Sequence, residues 1–544
     1  MPSTRTDPNP AQTVVGRANI WLKIRMHLDA ACLSPRAYLT AIWWRLRGKR
    51  LRARARLSPL LGQSPLAYRL WLANEAPVGS DHRPGPRIVA LIDCRAGSDA
   101  TSETLRSLDR EGIGALCVGT AEIPDAAAAS CAIVWTDDPW LMPLNAGDVL
   151  AAGTANAYRR AIANVAGPRV VYADDDLLDS AGRRDIPHFK PDWNAELFRY
   201  FDYLTGACIV RTSESALAQL SGPDWSAQLV ASAAQGGTEP PVHVRRVLHH
   251  RQVRPVPRVP VRLEATAWAG ALPTVTVIIP TRNRVDLLRT CLQGLSITDY
   301  PGIEVIVVDN DSDDPMTLDY LATLDPTRHR VLRHSGPFNF SAMNNRAARM
   351  ADGDLLCLLN NDIAVIRPDW LAVMARQALR AEVGAVGARL LYPDGRIQHA
   401  GVVLGVGGGA AHAHRLLHPQ DDGYFHRHSL PQFVSAVTAA CLVVRRDRFM
   451  AVGGLDEVNF AVAFNDVDLC MRLNQRGWQS LYEPRATLFH HESVSRGFDR
   501  DPAGAARLAG ELQALKAAWG TDGGVDPFHH PELSSFSERF VVRS

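Results

Sequence analysis

Apolar residues fall in two alternating patterns along this chain. VTVIIP (Val275 to Pro280), IEVIVVDN (Ile303 to Asn310) and DLLCLLNND (Asp354 to Asp362) carry nearly unbroken apolar runs that stop at polar residues. Such runs predict strands buried on both faces of a parallel sheet. Between the first two, Leu287, Leu288, Cys291, Leu292 and Leu295 recur on one helical face. Strand, loop, helix and strand at this spacing make a βαβ unit, so the loop after Ile279 and the residue Asp309 emerge at one sheet edge, where the polar end Asn360, Asn361, Asp362 also emerges. Ligands of open α/β sheets collect there. An acidic residue suits ribose hydroxyls or a base N–H, and a carboxylate can hold a hard divalent cation against a diphosphate.

The same alternation begins earlier, at RIVALIDC from Arg87, and continues through GALCVG, AIVWT and RVVYADDD. Five regions are expected: a helical, basic lead-in at 1–80, a first α/β domain at 81–256, a linker at 257–272, a second α/β domain at 273–500, and a C-terminal helix and tail at 501–544. The stretch RQVRPVPRVPVRLEA at this junction is excluded from a sheet interior because prolines lack a donor. GRIQHAGVVLGVGGGAAHAHRL, Gly395 to Leu416, has the glycine content of a flexible loop over the acceptor, and its histidines lack helix-borne zinc spacing.

Composition adds compartment and partners. At 544 residues, 46% hydrophobic and 21% charged, the chain is expected to be a soluble globular protein of several domains. Nine scattered Cys without a CxxC pair predict reduced core residues. No apolar run reaches the roughly 20 residues of a membrane span, and the first residues lack the apolar segment of a signal peptide. The expected location is the cytoplasm. From Ala30 to Asn74 there is no Asp or Glu, while Arg and Lys crowd residues 45–56 behind Trp43 and Trp44. Two readings of residues 43–56 stand side by side, an anionic membrane surface and a solvated or disordered arm; nucleic acid is the least favoured.

The ordered set PTRN, VVDN, FNFSAMNNRAARMADGD, LLNND, FNDVDLCMRL and LFHHESVSRG resembles the inverting nucleotide-sugar glycosyltransferases of family 2, and more narrowly the two-domain bacterial enzymes of O-antigen, rhamnan and related surface polysaccharides. The resemblance covers about 225 residues, Pro273 to Gly497. It implies an α/β fold of two tandem GT-A (Rossmann-like) domains. The donor is then a nucleotide-diphosphate sugar, the acceptor a saccharide or lipid-linked saccharide, and the cofactor a divalent cation, Mn2+ or Mg2+. By the family's motif, Asp362 and His490 hold the cation; His490 is preferred over His491. Pro280, Thr281, Arg282 and Asn283 line the base, and Asp309 holds nucleobase or ribose. Asn345, Asn360 and Asn361 contact the nucleotide-sugar, Arg496 faces the departing diphosphate, and Asp466 is the base. The family's usual DxD is here NND, which leaves one carboxylate.

Inverting transfer needs one base, since the acceptor hydroxyl loses its proton as it attacks the anomeric carbon. Asp466 falls near the start of a helix, where it would also cap free N–H groups. In the first domain the motifs are eroded: LNAGD keeps one carboxylate, Asp148, and no His is expected to match His490 before the linker. Asp174, Asp175 and Asp176 are expected in a solvated loop or at an acceptor. A non-catalytic saccharide-binding scaffold is the rival reading. A dinucleotide-dependent dehydrogenase is disfavoured because no GxGxxG follows the first strand.

Overall fold

In a computed structural model of the chain, residues 10–77, 84–95, 100–165, 167–260, 270–491, 501–523 and 526–543 are described. The chain opens with helices α1 (Pro10–Leu33), α2 (Pro35–Leu46), α3 (Arg50–Leu61) and α4 (Ala67–Leu72). Proline at the first turn of α2 suits a helix start, where no intrahelical donor is needed.

Two sheets follow. The first contains β1 (Ile88–Asp93), β2 (Gly114–Val118), β3 (Trp140–Asn145), β4 (Val149–Leu150), β5 (Val170–Leu178), β6 (Arg184–His188), β7 (Cys208–Arg211) and β8 (Val242–Arg251), in the spatial order β2-β1-β3-β7-β5-β8-β4 with β6 beside β5. The second contains β9 (Val275–Thr281), β10 (Ile303–Asp309), β11 (His329–Arg333), β12 (Leu355–Leu359), β13 (Ile363–Val365), β14 (Val383–Leu391), β15 (Ile397–His399), β18 (Gln432–Val434), β19 (Cys441–Arg445) and β20 (Gln479–His490). Its order is β11-β10-β9-β12-β19-β14-β20-β13, with β15 beside β14 and β18 beside β20. β16 (Val402–Leu404) and β17 (Ala410–His412) form a separate antiparallel ribbon.

Apart from β11 and β18, the second order repeats the first strand for strand. The senses repeat too: β1 is parallel to β2 and β3 as β9 is to β10 and β12, while β3–β7 and β12–β19 are both antiparallel. The chain is thus two tandem GT-A-like domains. In the second, Leu355 to Leu359 of β12 are fully buried at the centre, each aliphatic side chain contributing about 1.5–3 kcal/mol. Helix Val285–Ser296 covers one face of this sheet; helices Phe340–Met350 and Asn465–Gln475 cover the other.

Three expectations change. Asp174, Asp175 and Asp176 lie on β5 and are wholly buried, not solvated. They tolerate burial because each has a cation or proton donor: Lys190 Nζ is 2.7 Å from Asp175, Arg184 Nε 2.6 Å and His250 Nδ1 2.7 Å from Asp176, and His243 Nε2 3.0 Å from Asp174. The glycine-rich stretch from Gly395 forms β15 and the β16–β17 ribbon. The first domain also has a counterpart of His490: Val149 pairs with His250 as Ile363 pairs with His490, so Asp148 and His250 occupy the register of Asp362 and His490.

The tail after helix Pro502–Trp519 joins everything else. Pro527 C=O accepts from Asp192 N–H, Phe528 C=O accepts from Arg427, Ser535 C=O accepts from Gly407 N–H, and Glu532 accepts from Trp71 Nε1 at 2.7 Å. It touches the lead-in, the first domain and the ribbon at once.

Candidate active site at the carboxyl edge of the second sheet

β9, β10 and β12 run parallel, so Thr281, Asp309 and Asn360 come out at one edge. Asn361 Nδ2 donates to Thr281 Oγ1 at 3.0 Å, tying β12 to β9. Asn283, with φ of 52°, sits in the left-handed region that Asn tolerates better than most residues. From there its Oδ1 accepts from Asp313 N–H and Asp314 N–H, and its own N–H donates to Ser312 Oγ at 2.8 Å. Asp309 is buried and accepts from Ser312 N–H at 3.1 Å. Pro280 and Thr281 are buried and Arg282 is exposed, so this loop shapes the floor of the edge and offers one cation beside it.

Asp362 follows β12, and β13 immediately pairs with β20, whose last residue is His490. Asp362 Oδ1 and His490 Nε2 are 3.1 Å apart, and both residues are buried. Gln398 on β15 decides what this pair is. His490 Nδ1 lies 2.7 Å from Gln398 Oε1, an acceptor, so Nδ1 carries the proton. Asn360 Nδ2, a donor, faces Nε2 at 3.3 Å. In the neutral ring Nε2 is then a lone pair aimed at a carboxylate oxygen. Two acceptors this close are mutually repulsive unless a positive charge lies between them, and an imidazole nitrogen with a carboxylate oxygen is a donor set for Mn2+ or Mg2+. The residues fit the cation that the sequence implies. His491 donates its N–H to Asp362 C=O at 3.0 Å.

Asp466 stands in the first turn of helix Asn465–Gln475, half-buried. Its Oδ2 accepts from Ala439 N–H at 3.0 Å, while Asn360 N–H donates to Ala440 C=O at 3.0 Å. Two consecutive alanines thus link the candidate base to Asn360, whose side-chain amide faces His490. Burial pushes the Asp466 carboxyl above its ordinary value, against hydrogen bonds from Ala439, Val467 and Thr438 that lower it. Thr438 N–H in turn faces His399 Nε2 at 3.4 Å, so β15 supports both halves of the site through adjacent residues, Gln398 and His399. Asp468 is tied instead to Arg472 and to Trp519 Nε1, a packing role.

Asn345 stands apart from the expected nucleotide-sugar contact. Its Oδ1 accepts from Leu455 N–H at 2.8 Å and its Nδ2 donates to Leu455 C=O and Glu457, each at 2.8 Å. The amide is spent on the loop that leads to Asp466. Glu511, which the sequence reading did not single out, holds the same loop: its two oxygens accept from Val462 N–H at 2.8 Å and Ala463 N–H at 3.1 Å. Arg496 lies outside the described residues. Gln398 was also missed; its signal was present, since GRIQHAG sets an amide beside a histidine.

Among the described residues, one cluster of three metal-type ligands occurs elsewhere: Asp174, His243 and His530, with ligand atoms within 4.8 Å of one another. Its hydrogen bonds favour protons over an ion. His530 Nδ1 accepts from Glu532 N–H at 3.0 Å, so Nε2 bears the proton that faces Asp174 Oδ2 at 3.0 Å. His243 meets Asp192 and Asp174 with its two nitrogens, both at 3.0 Å. Burial alone would lower its pKa, but the two carboxylates raise it on balance.

The fold and this edge define the class: a GT-A domain with a carboxylate–imidazole pair and a separate half-buried carboxylate. Residues 276–448 match the family Glycosyl transferase family 2, so the chain carries a family 2 glycosyltransferase domain. It is 38% identical over 420 residues to the uncharacterized protein y4gI of Sinorhizobium fredii, covering 69% of this chain and 46% of that protein. It is 35% identical over 418 residues to the O-antigen biosynthesis protein RfbC of Myxococcus xanthus, covering 69% and 32%. A 70-residue stretch is 47% identical to the N-acetylglucosaminyl-diphospho-decaprenol L-rhamnosyltransferase of Mycobacterium tuberculosis, 13% of this chain and 22% of that enzyme. The chain spans less than half the length of these curated relatives.

Proposed function

We propose that the second domain is an inverting glycosyltransferase that moves a sugar from a nucleotide-diphosphate donor to a saccharide or lipid-linked saccharide acceptor during bacterial surface polysaccharide synthesis. The observation that carries this reading is the buried pair Asp362 Oδ1 and His490 Nε2, 3.1 Å apart, beside Asn360, which Ala440 and Ala439 link to the half-buried Asp466. The names of RfbC and of the rhamnosyltransferase support the pathway and the lipid-linked acceptor.

In this reading Asp309 and the Pro280–Asn283 loop, together with Asn360 and Asn361, receive the nucleoside and its sugar; Arg496 is assigned to the diphosphate. A divalent cation held by Asp362 and His490 supplies charge neutralisation for the diphosphate leaving group. Asp466 accepts the acceptor hydroxyl's proton as that oxygen attacks the anomeric carbon, and its raised pKa makes it a stronger base than an exposed Asp. The enzyme works in the cytoplasm, against the inner face of the membrane where a lipid-linked acceptor is anchored. The scaffold reading is kept for the first domain alone, whose Asp148 carboxylate accepts from Asn145 N–H and Gln252 N–H.

The test is a panel of nucleotide-sugars with Mn2+ or Mg2+, measuring binding and donor hydrolysis. One donor binds with metal, Asp362→Ala abolishes that binding, and Asp466→Asn retains binding while losing turnover. If no donor binds under either metal and neither substitution matters, the transferase reading fails and the scaffold reading replaces it.

A further inference from the structure

The lead-in helices carry more apolar surface than their packing uses. On α1, Met26 and Ala30 are buried, while Trp21, Ile24 and Leu28 stand open, Trp21 being 68% and Leu28 61% exposed. At roughly 100° per residue those three lie within about 60° of one another, on the side away from Met26. α2 repeats the arrangement: Ala37 and Ala41 face inward, while Leu39, Trp43 and Leu46 share the opposite side, Leu39 being 65% and Leu46 83% exposed. Apolar side chains exposed singly are ordinary; stripes of three on consecutive helices are not.

The charge around these stripes has one sign. From Ala30 to Asn74 there are eight Arg and Lys49 and no acidic residue. Asp29, just before, is already bonded by Ser64 Oγ at 2.6 Å. The Arg47 guanidinium lies 4.7 Å above the Trp43 ring, placing a cation at the head of the apolar stripe. Arg50, Arg52 and Arg56 of α3 are exposed around the open side chain of Leu51. Among the described residues no helix is long and apolar enough to cross a membrane, so this surface would lie on a bilayer, not in it.

We infer that α1, α2 and α3 form a docking surface for an anionic lipid bilayer, with the Trp and Leu stripes at the level of the upper acyl chains and the Arg and Lys residues among the headgroup phosphates. Apolar stripes need an apolar partner, which nucleic acid does not offer. A second copy would bring an identical cationic face, and like charges would oppose a two-fold contact. The inference deepens the proposed use of a lipid-linked acceptor, but its evidence is independent of the transfer site.

The experiment is co-sedimentation of the full chain with vesicles of phosphatidylglycerol and phosphatidylethanolamine, and separately of phosphatidylcholine, at low and high salt, with no sugar donor present. Partitioning is expected to favour the anionic vesicles by about tenfold or more, to fall at high salt, and to fall about tenfold in Leu39→Ser/Leu46→Ser, whose circular dichroism and metal-dependent donor binding match the wild type. Equal recovery on both vesicle types, recovery on neither, or undiminished binding by that variant would each overturn the inference. So would gel filtration without lipid showing a dimer that the same double substitution dissolves, which assigns the face to a second copy. Because no donor is used, a failed transfer assay and a failed docking assay are separate results.

Discussion

Gln398 is the residue on which the cation pair turns. Its Oε1 fixes the proton on His490 Nδ1, and only then does Nε2 present a lone pair toward Asp362. Partners of this kind are worth about 10–100-fold in metal affinity. Gln398→Leu is therefore expected to weaken Mn2+ binding by about that factor, measured by calorimetry or by the free-Mn2+ paramagnetic signal, while Gln398→Glu, which keeps an acceptor at Nδ1, restores it. Unchanged affinity in Gln398→Leu would remove the tautomer from the argument. Asp466 is the second residue with a distinct signature. Its carboxyl is raised by burial, and a base works only when ionised, so turnover is expected to fall as pH drops through a value above the ordinary 3.9 or so of Asp. Asp466→Asn is expected to lose turnover by about 10²–10⁴-fold and to abolish that acid limb. A limb that persists in the variant belongs to another group.

At the scale of the element, the loop 454–464 positions Asp466 without touching its carboxylate. Gly454 has φ of 72°, and a Cβ there would come within 2.4 Å of Asn345 Oδ1, so the loop's tight entry and the amide that clamps it depend on each other. Asn345→Ala removes both ends of that clamp from Leu455, at a cost of about 1–3 kcal/mol. Amide exchange at 455–464 is expected to rise and turnover to fall with metal affinity intact; unchanged exchange would show the clamp to be idle. These elements also show what was legible beforehand. β9, β10 and β12 were readable because an unbroken apolar run ending in polar residues has few alternatives. The proposed cation pair, Asp362 with His490, and the proposed base Asp466 came from motif order. What escaped reading was pairing. His250 matches His490 only through the register of β4 on β8, and no sequence pattern carries register. Asp174 to Asp176 resemble a polar turn because partners such as His530 for Asp174, Arg254 for Asp175 and His250 for Asp176 are distant in sequence. Glu511, and the clamp role of Asn345, escaped for the same reason.

At the scale of the whole molecule, the first domain has kept the sheet and filled its carboxyl edge with the chain's own charges. Lys190, Arg251 and Arg254 surround Asp175, and the tail inserts His530 against Asp174. Burial opposes ionisation of both carboxyls, but Lys190, Arg254 and Arg251 hold Asp175 well below its ordinary value, and His530 and His243 do the same for Asp174. A depressed folded pKa contributes stability that is present above the unfolded value near 3.9 and is lost as pH falls below it. His243 has the opposite sign: its folded pKa is raised, so its contribution is present below about 6.5 and is lost as pH rises through the folded value. Burial pushes His529 of the tail down to about 3, so its contribution is lost as pH falls below about 6.5, and the tail is therefore held most tightly near pH 6.5. Amide exchange at residues 526–543, corrected for its intrinsic pH dependence, is expected to show greatest protection near that pH. Asp174→Asn strips the shared partner from both imidazoles; breaking buried pairs of this kind costs about 3–5 kcal/mol, and the variant should lose that protection. Since the tail also holds Trp71 of the lead-in and Gly407 beside the β16–β17 ribbon, both are expected to gain exchange together with it. Protection that stays constant from pH 3 to 8, or that changes in the tail alone, would show that the filled edge of the first domain does not serve to fasten the other parts of the chain.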